Sequence, residues 1–165
     1  MNDHVLDAKA DIEHPDTGIE NRKVMVNGLS GLLADTFVLL IKTQGYHWNV
    51  VGPLFVSIHE LTERQYQNLF EAADEIAERI RALGYPAPGS MNAMIPLTGI
   101  QEDVGHPTAE QMIDNLVRDH EIVVQRLRAT TEAADEMHDQ VTADLLTERM
   151  AFHEQAIWML RAIVS

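Results

Sequence analysis

PLFVSIHELTERQYQNLFEAADEIAERIRALG, residues 53–84, reads as one long helix and sets the plan of the chain. Pro53 suits a first helical turn, where a missing N–H leaves nothing unsatisfied. Gly84 followed by Tyr85-Pro86 is a stop signal. Between them Leu, Ile, Ala, Glu and Arg dominate, and all are tolerable or good helix formers. Two polar pairs sit one turn apart on this helix, His59 with Glu63 and Asp74 with Glu78. An i,i+4 spacing aims two side chains the same way. Glu63 and Asp74 are 11 residues apart, close to three turns, so all four side chains lie on roughly one face. The midpoints of the two pairs are 15 residues apart, about 22 Å along the axis, so they cannot meet on one helix.

Two readings fit this face. Polar i,i+4 pairs commonly mark a solvated helix surface carrying ion pairs. The alternative sets two copies antiparallel about a twofold axis near residues 68–69. His59 and Glu63 of one copy then face Asp74 and Glu78 of the other across a self-complementary interface. The spacing thus predicts a metal site shared between subunits.

The rest of the chain bounds the function. Its 165 residues suit one domain with a proper core. No run reaches the 18 or so unbroken apolar residues of a membrane span, and the N-terminus lacks the basic-then-apolar order of a secretory signal. Without cysteine there is neither a disulfide framework nor thiolate chemistry. A cytoplasmic location is the expectation. The net charge of −14 should repel nucleic acid and anionic membrane and attract cations; it is equally the mark of a solvated acidic surface.

Residues 1–16 form an acidic tail in which Asp3, Asp7, Asp11, Glu13 and Asp16 stand against Lys9, with His4 and His14 isolated among them. Residues 17–165 should form the folded domain. Thr17-Gly18-Ile19-Glu20 has the form of a capping box and predicts a helix from there to about Val50. Its stripe of Val26, Leu29, Leu33, Phe37 and Leu40 continues to Gln44 and His47, so His47 projects from the core-facing side. After the central helix, residues 85–107 carry four prolines and three glycines, with a short helix predicted over 92–97. A connection this long needs structure or a function. Pro107-Thr108 opens a third helix to about Met137, with His120 on its apolar stripe. Asp139 is a good N-cap for a fourth, on which His153 and Glu154 read as surface or cavity groups. Four long helices with one long crossover make an all-α, ferritin-like four-helix bundle.

Imidazole with carboxylates suits iron, zinc or manganese. Hard carboxylates stabilise Fe(III), imidazole keeps affinity for Fe(II), and a mixed site favours ferrous oxidation. Ferritin-like di-iron bundles use Glu-x-x-His on each of two helices of one subunit. No histidine here has a glutamate three residues before it, which argues against a di-iron centre inside one chain. Neither a phosphate loop nor a nucleophile elbow is present, and the basic residues form no nucleic-acid stripe.

His47-Trp48-Asn49-Val50-x-Gly52-x-x-Phe55-x-x-x-His59-Glu60, then Asp74-x-x-Ala77-Glu78-Arg79-Ile80-x-x-Leu83-Gly84, resembles the Dps family of mini-ferritins, the DNA-binding proteins from starved cells. The resemblance covers residues 20–163 and includes Trp158-Met159-Leu160 in the last helix. It implies a hollow homododecameric shell with ferroxidase sites at twofold interfaces. Matched by position, His47, His59 and Glu63 would come from one subunit and Asp74 and Glu78 from its neighbour. The family oxidises ferrous iron, often with hydrogen peroxide in preference to dioxygen, and stores the ferric product, limiting oxidative damage. The resemblance also implies acidic pores at threefold axes, with Asp135, Asp139, Asp144 and Glu148 as candidates. Glu60 is a candidate for mineral nucleation and Trp48 for radical quenching. Two features depart from the pattern. Glu63 stands where the family usually has Asp, and the tail is acidic where DNA-binding members are lysine-rich. Twelve copies would carry about −168, which sets electrostatics against DNA and predicts weak or no binding. The competing expectation is a non-catalytic or DNA-protecting cage, nucleoid-associated if it binds DNA.

Overall fold

Helix signals along the chain place four long helices and a short one. In the computed structural model, which describes residues 9–13 and 16–165, they are α1 (Arg22–Asn49), α2 (Phe55–Ala82), α3 (Met91–Met94), α4 (Ala109–Glu136) and α5 (Gln140–Ile163). Of the acidic tail, residues 1–8 and 14–15, with His4 and His14, lie outside the described residues.

α1 begins later than the Thr17 capping box predicts. Gly18 takes φ +76° and Asn21 φ +45°, and these left-handed residues break the run a cap at Thr17 would need. Thr17 instead accepts from Arg22 at 3.2 Å. The cap signals elsewhere act as read. Asp139 accepts the Thr142 N–H at 3.0 Å, and Thr108 forms a reciprocal capping box with Gln111. α2 ends on Gly84 at φ +91°, where the Gly84 and Tyr85 N–H groups bond to the carbonyls of Arg81 and Ile80. This Schellman closure needs a left-handed residue, which glycine adopts freely.

α1 and α2 form one antiparallel hairpin, α4 and α5 the other, and the crossover carrying α3 joins them. α1 is apolar on nearly every side. By length and composition it could cross a membrane, but most of its apolar window is buried in the bundle, as in a core helix. Leu29, Leu32, Leu33 and Leu39 meet Ile58, Leu69, Ile76 and Ile80 of α2 and Ile113 and Leu116 of α4 in one continuous core.

Polar ties fix the register. Buried Asp35 accepts from Thr98 Oγ1 (2.8 Å), the Gly99 N–H (2.7 Å) and Arg126 (2.7 Å), which staples the crossover across α1 and α4. Burial pushes the Asp35 carboxyl up, and the Arg126 guanidinium opposes the rise. Lys42 pairs with Asp119 at 2.5 Å on the same pair of helices. Arg79 ties the end of α2 to Asp139 (2.6 Å) and Thr142 (2.8 Å) at the start of α5. Arg149 of α5 reaches Asn68 of α2 at 2.8 Å.

Candidate metal centre

The short turn between α1 and α2 brings His47, in the last turn of one helix, against His59, in the second turn of the next. The two rings stack with centroids 3.8 Å apart and planes 15° from parallel. Each is tied to the other's backbone: His47 Nδ1 lies 2.8 Å from the His59 carbonyl, and His59 Nδ1 lies 2.9 Å from the His47 carbonyl. A carbonyl oxygen only accepts, so each Nδ1 must carry its proton. In the neutral ring that leaves Nε2 of both histidines as bare donors to a metal. Thr62 Oγ1 bonds back to Ile58 at 2.6 Å, with a second approach of 3.2 Å to the His59 carbonyl. His47 is 7% exposed, on the core-facing side as its helix stripe predicts.

Glu63 is exposed one turn beyond His59, and Asp74 and Glu78 are exposed toward the far end of α2. Within one chain the structure therefore joins the two histidines but not the two carboxylate groups. Among the described residues no three His, Asp or Glu side chains converge on a metal position. Asp74 instead lines an apolar groove of about 830 Å³ with Leu33, Phe37, Phe70, Pro88 and Met91.

The other candidates separate by burial. Glu60, Asp135, Asp144 and Glu148 are exposed, and Trp48 is 67% exposed. Asp139 is 1% exposed, with both carboxylate oxygens engaged by Thr142 and Arg79, which hold its carboxyl below the usual range against the opposing effect of burial. Cap and pore were both read for this residue, and the structure uses it as the cap. His153, read as a surface or cavity group, is buried. Its Nδ1 lies 2.7 Å from Nδ1 of His120 across the α4–α5 hairpin. Sequence reading missed two rings beside the site, Tyr66 against His47 and the stacking of Phe55 on His59. Spacing could have found them, since residues 55, 59 and 66 share one helix face.

Residues 26–165 match the family model of the ferritin-like domain. A low temperature-induced protein of Nostoc is 46% identical over 147 residues, covering 88% of this chain and 82% of its own. A DNA protection during starvation protein of Bacillus anthracis is 35% identical over 143 residues, covering 87% and 98%.

The chain belongs to the Dps family.

The fold agrees with this. The Dps structure from Vibrio cholerae, described as a member of a broad superfamily of ferritin-like diiron-carboxylate proteins, superposes with a TM-score of 0.83 at 30% identity. The match covers 87% of this chain and 91% of that one. As in other ferritin-like proteins, the helices form two hairpins joined by a long crossover. The Dps motif residues His47 and His59 are the two that meet through reciprocal backbone bonds.

Proposed function

We propose that this Dps-family chain oxidises ferrous iron at sites completed by a second copy and stores the ferric product inside a dodecameric shell. The observation that carries the reading is the reciprocal His47–His59 lock, which presents two bare imidazole nitrogens at one end of a helix whose carboxylates stand at the other. Antiparallel pairing of α2 about an axis near residues 68–69 supplies Asp74 and Glu78 of the partner subunit to His47, His59 and Glu63. The exposed apolar surface supports that pairing. Phe70, beside the proposed axis, is 67% exposed, and Val56, Met91 and the groove around Asp74 lie on the same stretch. A face of this kind marks an interface.

In this site the imidazoles bind Fe(II) without adding charge, and the carboxylates offset the higher charge of Fe(III). Two ferrous ions and one hydrogen peroxide, with two waters, give two FeO(OH) and four protons; the O–O bond breaks and each iron loses one electron. The exposed carboxylates attract iron. Asp135, Asp144 and Glu148 are the exposed candidates for a route inward, Glu60 for nucleation, and Trp48 for intercepting stray radicals. Zinc or manganese would fit the same donors and compete with iron. We place the store in the cytoplasm, and its acidic charge sets it against DNA.

The second reading, a cage that shields DNA without catalysis, draws on the relatives' role in DNA protection. One assay separates the two. Fe(II) and hydrogen peroxide are added to the purified shell and ferric absorbance is followed, alongside a DNA gel shift at physiological salt. Fast oxidation that is lost in the His59→Ala/Asp74→Ala double variant, with no gel shift, is the expected result. Equal oxidation by the double variant would overturn the site, and tight salt-sensitive DNA retention would favour the cage.

A further inference from the structure

The His47–His59 stack has an aromatic ring at each end. Phe55 opens α2, and its ring lies 4.9 Å from the ring of His59 at 23°. On the other side Tyr66 meets His47 edge-on, with centroids 5.3 Å apart and planes at 69°. The order is Phe55, His59, His47, Tyr66. Three of the four rings come from one face of α2, at spacings of four and seven residues, and His47 of α1 is inserted between the last two. The two inner rings are pinned at Nδ1.

A hydrogen bond at Nδ1 fixes one atom of an imidazole and leaves the ring free to tilt about that point. Tilting moves Nε2, the atom that would bind iron. Phe55 stacked on His59 and Tyr66 set edge-on against His47 remove that freedom. The Phe55 face also favours donation from His59 to a metal, because a ring face is electron-rich and an imidazole that donates at Nε2 becomes more positive.

The geometry points to Phe55 and Tyr66 as positioning residues that hold the planes of His59 and His47 and so aim both Nε2 atoms at a shared metal position. This inference rests on the reading of His47 and His59 as iron donors. It goes beyond that reading in giving the donor pair its own supporting shell, contributed wholly by the subunit that supplies the histidines. Supporting groups of this kind commonly alter metal affinity 10- to 100-fold.

The experiment compares ring-deleting with ring-keeping variants in the assembled shell. Phe55→Leu and Tyr66→Leu remove a ring; Phe55→Tyr and Tyr66→Phe retain one. Each shell is titrated with Co(II) by its visible absorbance, and ferrous oxidation is measured across Fe(II) concentration. The leucine variants should bind Co(II) about tenfold more weakly and raise KM for Fe(II) by a similar factor, with kcat changed far less. The ring-keeping variants should stay near the parent in both. A packing role alone would lower thermal stability in the leucine variants without moving Co(II) affinity or KM, and that result overturns the inference. Phe55 is partly exposed on the face proposed for the partner. If Phe55→Leu fails to assemble, half-buried Tyr66 carries the same test. His59→Ala, run in parallel, keeps the two claims apart. If it leaves Co(II) binding and oxidation intact, the iron reading fails. If it abolishes them while the leucine variants behave as the parent, only the positioning role fails.

Discussion

Among the described residues two histidine pairs form, and they are built in opposite ways. His47 and His59 lie face to face near a bundle end, each spending Nδ1 on a backbone carbonyl and keeping Nε2 for a ligand. His120 and His153 sit in the core and spend Nδ1 on each other, at 2.7 Å. One of those two atoms must carry a proton and the other must not, so the core pair hydrogen-bonds only while it is incompletely protonated. Next to it stands Arg149, 5% exposed, which bonds to Asn68 and lies 4.5 Å from the centroid of the Phe152 ring. Nε2 of His120 and both amide atoms of Gln65 are buried without a protein partner. A cation placed there would face the Arg149 guanidinium. Proximity alone does not make a pair of imidazoles a candidate metal donor: the core pair is enclosed beside a guanidinium, while the outer pair adjoins a helix that carries exposed carboxylates.

The largest expected effect breaks the outer pair. His59→Ala or Asp74→Ala alone should slow ferrous oxidation by about 100-fold or more, beyond the loss typical of a supporting residue. Sharing between subunits makes a sharper prediction. Shells assembled from an equal mixture of the two variants contain mixed pairs in which one site regains both residues. Random pairing makes half the interfaces mixed, each with one site intact of two, so activity should return to about a quarter of the parent. Mixed shells as inactive as either variant alone would place all ligands on one chain.

The next effect belongs to the core pair and appears in pH. Burial is the main cause that pushes His120 down to about 3 and His153 well below its ordinary value, with Arg149 adding to both shifts and His120 adding to that of His153. Around the pair, α5 contributes Arg149, itself acted on by Glu75 and Glu148. On the α1–α4 side, Lys42 is tied to Asp119. Both histidines therefore take up protons on unfolding at pH values where the folded pair excludes them. With folded values below the unfolded 6.5, the contribution is fully present above pH 6.5 and is lost as pH falls from there toward the folded values. The slope is about 1.4 kcal/mol per pH unit for each proton taken up. Urea unfolding of the shell from pH 7 to 4.5 should show this fall, and His153→Gln should reduce the slope by close to one proton. An unchanged slope would mean that the core pair is already charged in the folded protein.

How legible these two pairs were differs for a physical reason. The residues of the proposed outer site were singled out by i,i+4 spacing on one helix, and the proposed twofold arrangement rests on arithmetic on that helix alone. His47 was legible because its stripe continues to a helix end. His153 was misread because its placement depends on α4 meeting α5, and residue spacing within a helix says nothing of what stands opposite. The Thr17 capping box failed for a local reason. Its residues fit the pattern, but left-handed backbone at Gly18 and Asn21 redirects the chain before the helix starts. Asp139 carried both a cap and a pore signal, and Arg79, 60 residues away in sequence, shares the oxygen that accepts the capping N–H while the Thr142 hydroxyl takes the other.

The smallest effect comes from a histidine that belongs to neither pair. His138 closes α4 with φ +59°, and its N–H and that of Asp139 bond back to the carbonyls of Asp135 and Ala134. That is the same Schellman closure that Gly84 makes at the end of α2, with a residue that pays for left-handed backbone by about 1 kcal/mol. His138→Gly removes this strain but gives the unfolded chain more freedom, an opposing effect of about 0.4–1 kcal/mol. The net gain should be a few tenths of a kcal/mol, about 1 °C in the apparent unfolding midpoint at fixed protein concentration. Because the exposed His138 side chain belongs to neither pair, ferrous oxidation should stay at the parental value. A change in that rate would show that the turn between α4 and α5 reaches the proposed iron site.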